Sequence, residues 1–223
     1  MPDPGDNSPG VCARPLRVTT LGEGEQIPAE TLAPLPSAGE SVGMGTEELT
    51  RFNQLPAPAA LQALLDCCSA STWAEQMTAG RPYASAEDAI RRSGTIVAAL
   101  TVTDLATALA GHPRIGERTL PGAPEVSDGT SRAVGWSRRE QAGVDPGDGA
   151  TKYALAEGNL EYEQRFGHIY LASAAGRTGT ELLALLRGRL ENEPEDEWQV
   201  VRTELQKINA LRLQRLLAGA GAL

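Results

Sequence analysis

Apolar residues recur in this chain at helical spacing in block after block, and no two neighbouring segments alternate apolar and polar positions as paired strands do. That pattern leaves little room for a sheet and predicts an all-α fold. The longest block opens at Pro194, where a helix has no use for the missing N–H. It runs to about Leu217 and carries Trp198, Val201, Leu205 and Ile208 on one stripe. Upstream, Thr46-Glu-Glu-Leu starts a helix with acidic residues in its first turn, which suits the helix dipole. Pro56 and Pro58 interrupt it. Further helices are expected over 59–68 (with Leu61, Leu64, Leu65 and Cys68 inward), 71–79 (Trp73, Ala74 and Met77 inward), 86–100, 104–110, 151–166 and 178–190. Residues 117–135 look like a surface loop, and 136–141 like a short helical turn. The expectation is a single domain of about eight helices over 46–223.

Residues 1–45 are different. They hold seven prolines and seven glycines and no aromatic residue. Such a segment cannot bury enough apolar surface to offset its ordering entropy, so a disordered N-terminal tail is expected there.

The 223 residues carry 20 Lys+Arg against 29 Asp+Glu, a net charge of −9. An acidic chain is poorly suited to a phosphate backbone, so no nucleic-acid partner is expected. No apolar run reaches membrane-spanning length, and the start MPDPGDNSPG has neither a basic region nor an apolar core of a secretory signal. Cys12, Cys67 and Cys68 are odd in number, and two are adjacent. A disulfide framework is therefore not expected, and a cytoplasmic location is the simplest reading. Aromatics are only 4% of the chain, so its core must come from aliphatic side chains.

Polar residues in apolar places mark candidate sites. Seven residues at about 100° each bring position 212 within about 20° of Leu205, so Arg212 falls on the apolar stripe of the last helix. A guanidinium there should bind an anion, pair with a buried carboxylate or snorkel to a helix end. Asn159 shares a face with Leu155, Tyr162 and Phe166 and should tie down a neighbouring loop. His112 precedes Pro113 and follows a helix end; it and His168 are the two histidines of the chain. No zinc-ligand spacing, P-loop, dinucleotide fingerprint or nucleophile elbow is present, so neither metal nor cofactor is expected.

Four motifs then occur in order: HPRIG at 112–116, SRREQAGV at 137–144, NLEYEQRFG at 159–167 and ELQKINALRL at 204–213. Together they resemble the 2-oxo-4-hydroxy-4-carboxy-5-ureidoimidazoline (OHCU) decarboxylases of urate breakdown, over about residues 50–217. The resemblance implies an all-α enzyme, commonly a homodimer, that needs no metal or organic cofactor and converts its small-molecule substrate to (S)-allantoin and CO2. It places the catalytic groups on His112, Glu140 and Arg212. It places substrate contacts on Pro113, Ser137 and Gln141, and on the segment His168, Ile169, Tyr170 and Leu171 through backbone groups. Phe166 and Gly167, with Asn159, stand as structural residues near the site. His168 departs from the aromatic or apolar residue usual after Phe-Gly.

The substrate so implied has a carboxylate and a hydroxyl on one carbon beside a ring C=N that can accept the electron pair as CO2 leaves. His112 and Glu140 form the natural acid–base pair, because a nearby carboxylate favours the imidazolium donor. Two other classes remain open on residue types alone: a thiol-dependent protein of the alkylhydroperoxidase type using Cys67 and Cys68, and a non-enzymatic helical adaptor.

Overall fold

The computed structural model describes residues 40–116, 131–141 and 149–218. Nine helices occur among them: α1 (Glu40–Gln54), α2 (Ala57–Cys67), α3 (Ser71–Ala79), α4 (Ala86–Ala99), α5 (Val102–Ala110), α6 (Ser131–Glu140), α7 (Gly149–Phe166), α8 (Gly179–Arg189) and α9 (Pro194–Ala218). There is no strand among the described residues. α1 starts at Glu40 and takes in six residues expected in the tail; the disorder expected of 1–39 lies outside the described residues. α6 likewise begins at Ser131, inside the expected loop, so the short turn is a helix of 10 residues.

Local chemistry sets most of the ends. Ser85 accepts from the Asp88 N–H at the start of α4. Thr101 with Asp104, and Thr178 with Glu181, form reciprocal capping boxes on α5 and α8. α7 stops at Gly167, whose φ of 75° only glycine adopts without strain.

α9 is the spine. Its 25 residues extend about 37 Å, and it packs against α4 and α1, while α7 packs against α8. Two apolar clusters result. The larger joins Leu64, Trp73, Met77, Leu105, Leu205 and Leu213, all fully buried. Each such side chain contributes about 1.5–3 kcal/mol by leaving water. Trp73 also donates its indole N–H to Ser93 Oγ at 3.0 Å, so its polar edge is satisfied. The smaller cluster holds Leu155, Tyr162, Tyr170, Leu182 and Leu186.

The buried face of α2 is Ala60, Ala63, Leu64 and Cys67; of the expected inward set Leu64 and Cys68 are buried, while Leu61 and Leu65 are half-buried against the core. On α9 the buried face includes Glu197, Glu204, Asn209 and Arg212 beside the apolar residues. The sequence reading found one of these four polar positions and placed Trp198, which is half-buried, where Glu197 belongs.

Candidate active site

A pocket of about 330 Å³, counting its open mouth, lies where the two apolar clusters meet. Ile115, Tyr170, Ala172 and Ala174 reach it from the smaller cluster's side, and Leu171 and Ile208 from the larger. Its polar lining is His112, Ser137, Glu140, Gln141 and Arg212, with Pro113 at its side. Three separate stretches supply these: the turn after α5, the end of α6 and the C-terminal half of α9.

His112 is set by the end of α5. Its backbone N–H donates to the Leu109 carbonyl at 2.9 Å, and its ring Nδ1 lies 2.9 Å from the Ala108 carbonyl. A carbonyl oxygen can only accept, so Nδ1 carries the proton and Nε2 presents a lone pair. Nε2 is buried and meets no hydrogen-bond partner among the described residues. Burial, and then the Arg212 guanidinium, push the imidazole pKa down to about 4. The ring is therefore neutral at pH 7.

Glu140, expected to favour the imidazolium, does raise the ring's pKa, but burial and Arg212 outweigh it. That carboxylate is already committed: Arg212 Nε donates to its Oε1 at 3.0 Å, Arg212 Nη2 to its Oε2 at 2.9 Å, and Arg215 Nη1 to Oε1 at 3.1 Å. Two cations on one anion leave an excess positive charge beside the pocket in a chain that is otherwise acidic. That suits an anionic ligand. Arg212, 2% exposed, also donates to the Cys67 carbonyl at 2.9 Å and to Ser137 Oγ at 3.3 Å. Its fork is thus held rigid at four points. Arg215 was not anticipated, although it lies three residues after Arg212 and so on the same side of the helix.

The turn bearing His112 is latched at several places. Arg114 forms a two-pronged ion pair with Glu163 of α7, at 2.5 and 2.9 Å. Asn159 Nδ2 donates to the Ile115 carbonyl at 2.9 Å, and the Gly116 N–H donates to Gln141 Oε1 at 3.3 Å. Asn159 therefore ties down the loop after His112.

The wall formed by 170–174 is held from behind. Tyr170 donates its hydroxyl to the Leu182 carbonyl at 3.1 Å. The Leu171 carbonyl accepts from Arg189 Nη1 at 2.6 Å, and the Ser173 N–H donates to Glu204 Oε2 at 2.7 Å. These two backbone groups are engaged within the protein. His168 and Ile169 do not line the pocket. His168 packs against Trp198, with ring centres 4.2 Å apart, and Ile169 joins the larger core. Phe166 stacks on Tyr162 at 4.6 Å, behind the wall rather than in it. Ala172 and Ala174 also line the pocket and were not anticipated.

Cys67 and Cys68 are both buried, and burial pushes the Cys68 pKa up. A thiol kept protonated in an apolar setting is a poor nucleophile, which weighs against the thiol-dependent class. Cys12 lies outside the described residues. Among the described residues, no three of His, Cys, Asp and Glu gather as a metal site, and no single helix is long and apolar enough to cross a membrane.

Comparison with known proteins gives the same family from three directions. Residues 53–214 match the family model described as OHCU decarboxylase. The uric acid degradation bifunctional protein of Arabidopsis thaliana is 34% identical over 152 residues, which covers 68% of this chain and 45% of that protein. The 2-oxo-4-hydroxy-4-carboxy-5-ureidoimidazoline decarboxylase of Amia calva is 32% identical, over 62% of this chain and 75% of that one. The chain thus spans about half the length of the plant bifunctional relative and three quarters of the fish enzyme. A crystal structure of OHCU decarboxylase in the presence of (S)-allantoin superposes with a TM-score of 0.55 at 30% identity, covering 69% of this chain and 95% of that one.

Proposed function

Because the chain belongs to the OHCU decarboxylase family, we propose that it is a carboxy-lyase of urate degradation, releasing CO2 from 2-oxo-4-hydroxy-4-carboxy-5-ureidoimidazoline to give (S)-allantoin. The observation that carries the reading at residue level is that His112, whose Nε2 has no hydrogen-bond partner among the described residues, and the Glu140–Arg212 pair line one pocket.

The chemistry needs a place for electrons, a charge to hold the substrate, and controlled protons. The bond from the ring carbon to the carboxylate breaks, and its pair moves through a new C=C bond onto the neighbouring ring nitrogen, which takes up a proton. The hydroxyl on the first carbon then gives up its proton and becomes the ring carbonyl. The second carbon gains a proton on one face and keeps its ureido group. In sum, one substrate anion and one proton yield allantoin and CO2.

A neutral His112 with a bare Nε2 suits the shuttle within this scheme. It accepts the hydroxyl proton and returns it to the adjacent carbon, so stereochemistry follows from which face the imidazole meets. Arg212, held by Glu140 and the Cys67 carbonyl, and Arg215 supply the positive field for the anion. Ser137 and Gln141 line the same pocket and are of a type that can partner the urea-like edges of the substrate. We infer also a cytoplasmic setting, since an odd number of cysteines with two adjacent does not suit a disulfide framework, and a homodimer, which light scattering on the purified chain tests.

The direct test generates the substrate from urate with an oxidase and a hydroxyisourate hydrolase, then adds this protein and follows circular dichroism. The expected result is fast formation of optically active allantoin. Racemic product at the spontaneous rate would reject the proposal.

A further inference from the structure

The link between α2 and α3 meets both groups assigned to the chemistry, although none of its residues lines the pocket. At one end the Cys67 carbonyl accepts from Arg212 Nη1 at 2.9 Å. Two residues on, Ser69 lies against Gly111, the residue before His112. A Cβ built on Gly111 would overlap Ser69 Oγ and stand 2.8 Å from Ser69 Cβ, closer than side-chain carbons pack. Gly111 has an unremarkable φ of −87°, so backbone freedom does not require a glycine there; the need is for room.

We propose that the absence of a side chain at Gly111 keeps His112 in position relative to Arg212, because Ser69 leaves no room there for a Cβ. This rests on the reading of His112 as the group that moves the proton. Ser69 and Gly111 are both exposed, and the contact matters through the tie between Gly111 and His112. The Gly111 N–H and the His112 N–H are both bonded back into the last turn of α5, and the imidazole is bonded to Ala108 in that same turn. A displacement at Gly111 is therefore passed to the ring. The Ser69 Cβ cannot escape by rotating, because rotation moves only its hydroxyl. If the link yields instead, it carries the carbonyl that holds Arg212. Either way one of the two groups shifts by a fraction of an ångström. Gly111 thus acts through its neighbour His112 and touches no substrate, and Ser69 only limits the room at 111.

The pair suggests a reciprocal test. Gly111→Ala is expected to lower kcat by at least about tenfold, since misplacement near 1 Å can cost about a hundredfold. KM should change much less, because the charges that hold the substrate remain. The acid limb of the kcat/KM profile should also move, because the burial of His112 changes. Ser69→Gly alone should leave turnover near that of the parent. The double variant Ser69→Gly/Gly111→Ala, which removes the overlap, should recover kcat to within about threefold. Full kcat in Gly111→Ala, or a folded double variant as slow as Gly111→Ala, overturns the inference. If Gly111→Ala alone does not fold, the double variant decides by the same measure. A His112→Gln control separates the two readings. Full activity in that control rejects the role of His112 itself. An inactive control beside an unimpaired Gly111→Ala rejects only the positioning role.

Discussion

Among the described residues two buried arginines each grip a glutamate, and the contrast between them shows what makes one of them functional. Arg189 donates through Nε to Glu197 Oε1 at 2.7 Å and pairs with the same carboxylate through Nη2. It also donates to the Leu171 carbonyl and, at 3.1 Å, to the Tyr162 hydroxyl. Arg212 repeats the pattern with Glu140, the Cys67 carbonyl and Ser137. The donors and acceptors are nearly the same. The surroundings are not. Arg189 and Glu197 are eight residues apart, across the turn from α8 to α9, and sit beneath the rings of Tyr162 and Tyr170. Arg212 and Glu140 come from positions 72 apart and open onto the pocket. A sealed pair organises the core and holds the pocket wall through Leu171. An open pair leaves its field available to a ligand.

The comparison breaks most visibly at Arg189. Glu197 is 0% exposed and its partners besides Arg189, the Asn192 amide and the Tyr162 hydroxyl, carry no charge. Arg189→Met therefore strands a buried anion and is expected to cost about 3–5 kcal/mol. For a domain of this size that lowers the melting midpoint by about 10 °C. Arg212→Met should cost clearly less, because Glu140 keeps Arg215 and faces the pocket. Equal losses in thermal melts would show that the two pairs are energetically alike.

The next effect belongs to His112. Its folded pKa, near 4, lies below the unfolded value of about 6.5. Between these pH values the unfolded chain binds a proton that the native state refuses. Stability is therefore complete above pH 6.5 and falls as pH drops toward 4, by at most about 3 kcal/mol from this group. Urea unfolding at pH 7 and pH 4.5 should show a smaller difference in His112→Gln than in the parent. The rate sharpens the same point. If the neutral ring is the working form, kcat/KM holds level from pH 8 to about pH 5; a fall above pH 6.5 would restore the imidazolium mechanism.

A smaller loss is expected where charge is kept and shape is changed. Arg212→Lys preserves the cation but cannot span both oxygens of Glu140, so turnover should fall at least tenfold, or about 1.4 kcal/mol. Glu140→Gln should be strongly non-additive with Arg212→Lys and close to multiplicative with His112→Asn, since the carboxylate grips the arginine and not the imidazole. A double-variant cycle giving the reverse pattern would return Glu140 to His112. The smallest effect is expected at Arg215→Ala, which removes one half-buried contact with Glu140 at 3.1 Å: under about 1 kcal/mol in stability and a few-fold in KM.

Much of this was legible in the sequence, for a physical reason. Helical periodicity is local, so α3, α4, α7, α8 and α9 follow from spacing and caps, and Arg212 is visible as a charge on an apolar stripe. A local reading cannot tell which carboxylate a buried guanidinium will find. Glu140 is 72 residues from Arg212, and only packing brings α6 against α9. For the same reason the sequence offered Glu140 to His112, while the fold gives it to two arginines and leaves the histidine neutral. Glu197 and Glu204 were one helical turn from residues already placed on the buried face of α9, yet their charge argued for solvent. The sequence thus determined the helices, the family and the residue types of the site. Tertiary structure alone decided the protonation state of His112, the partner of Glu140 and the burial of Arg189, because each depends on desolvation by segments distant in the chain.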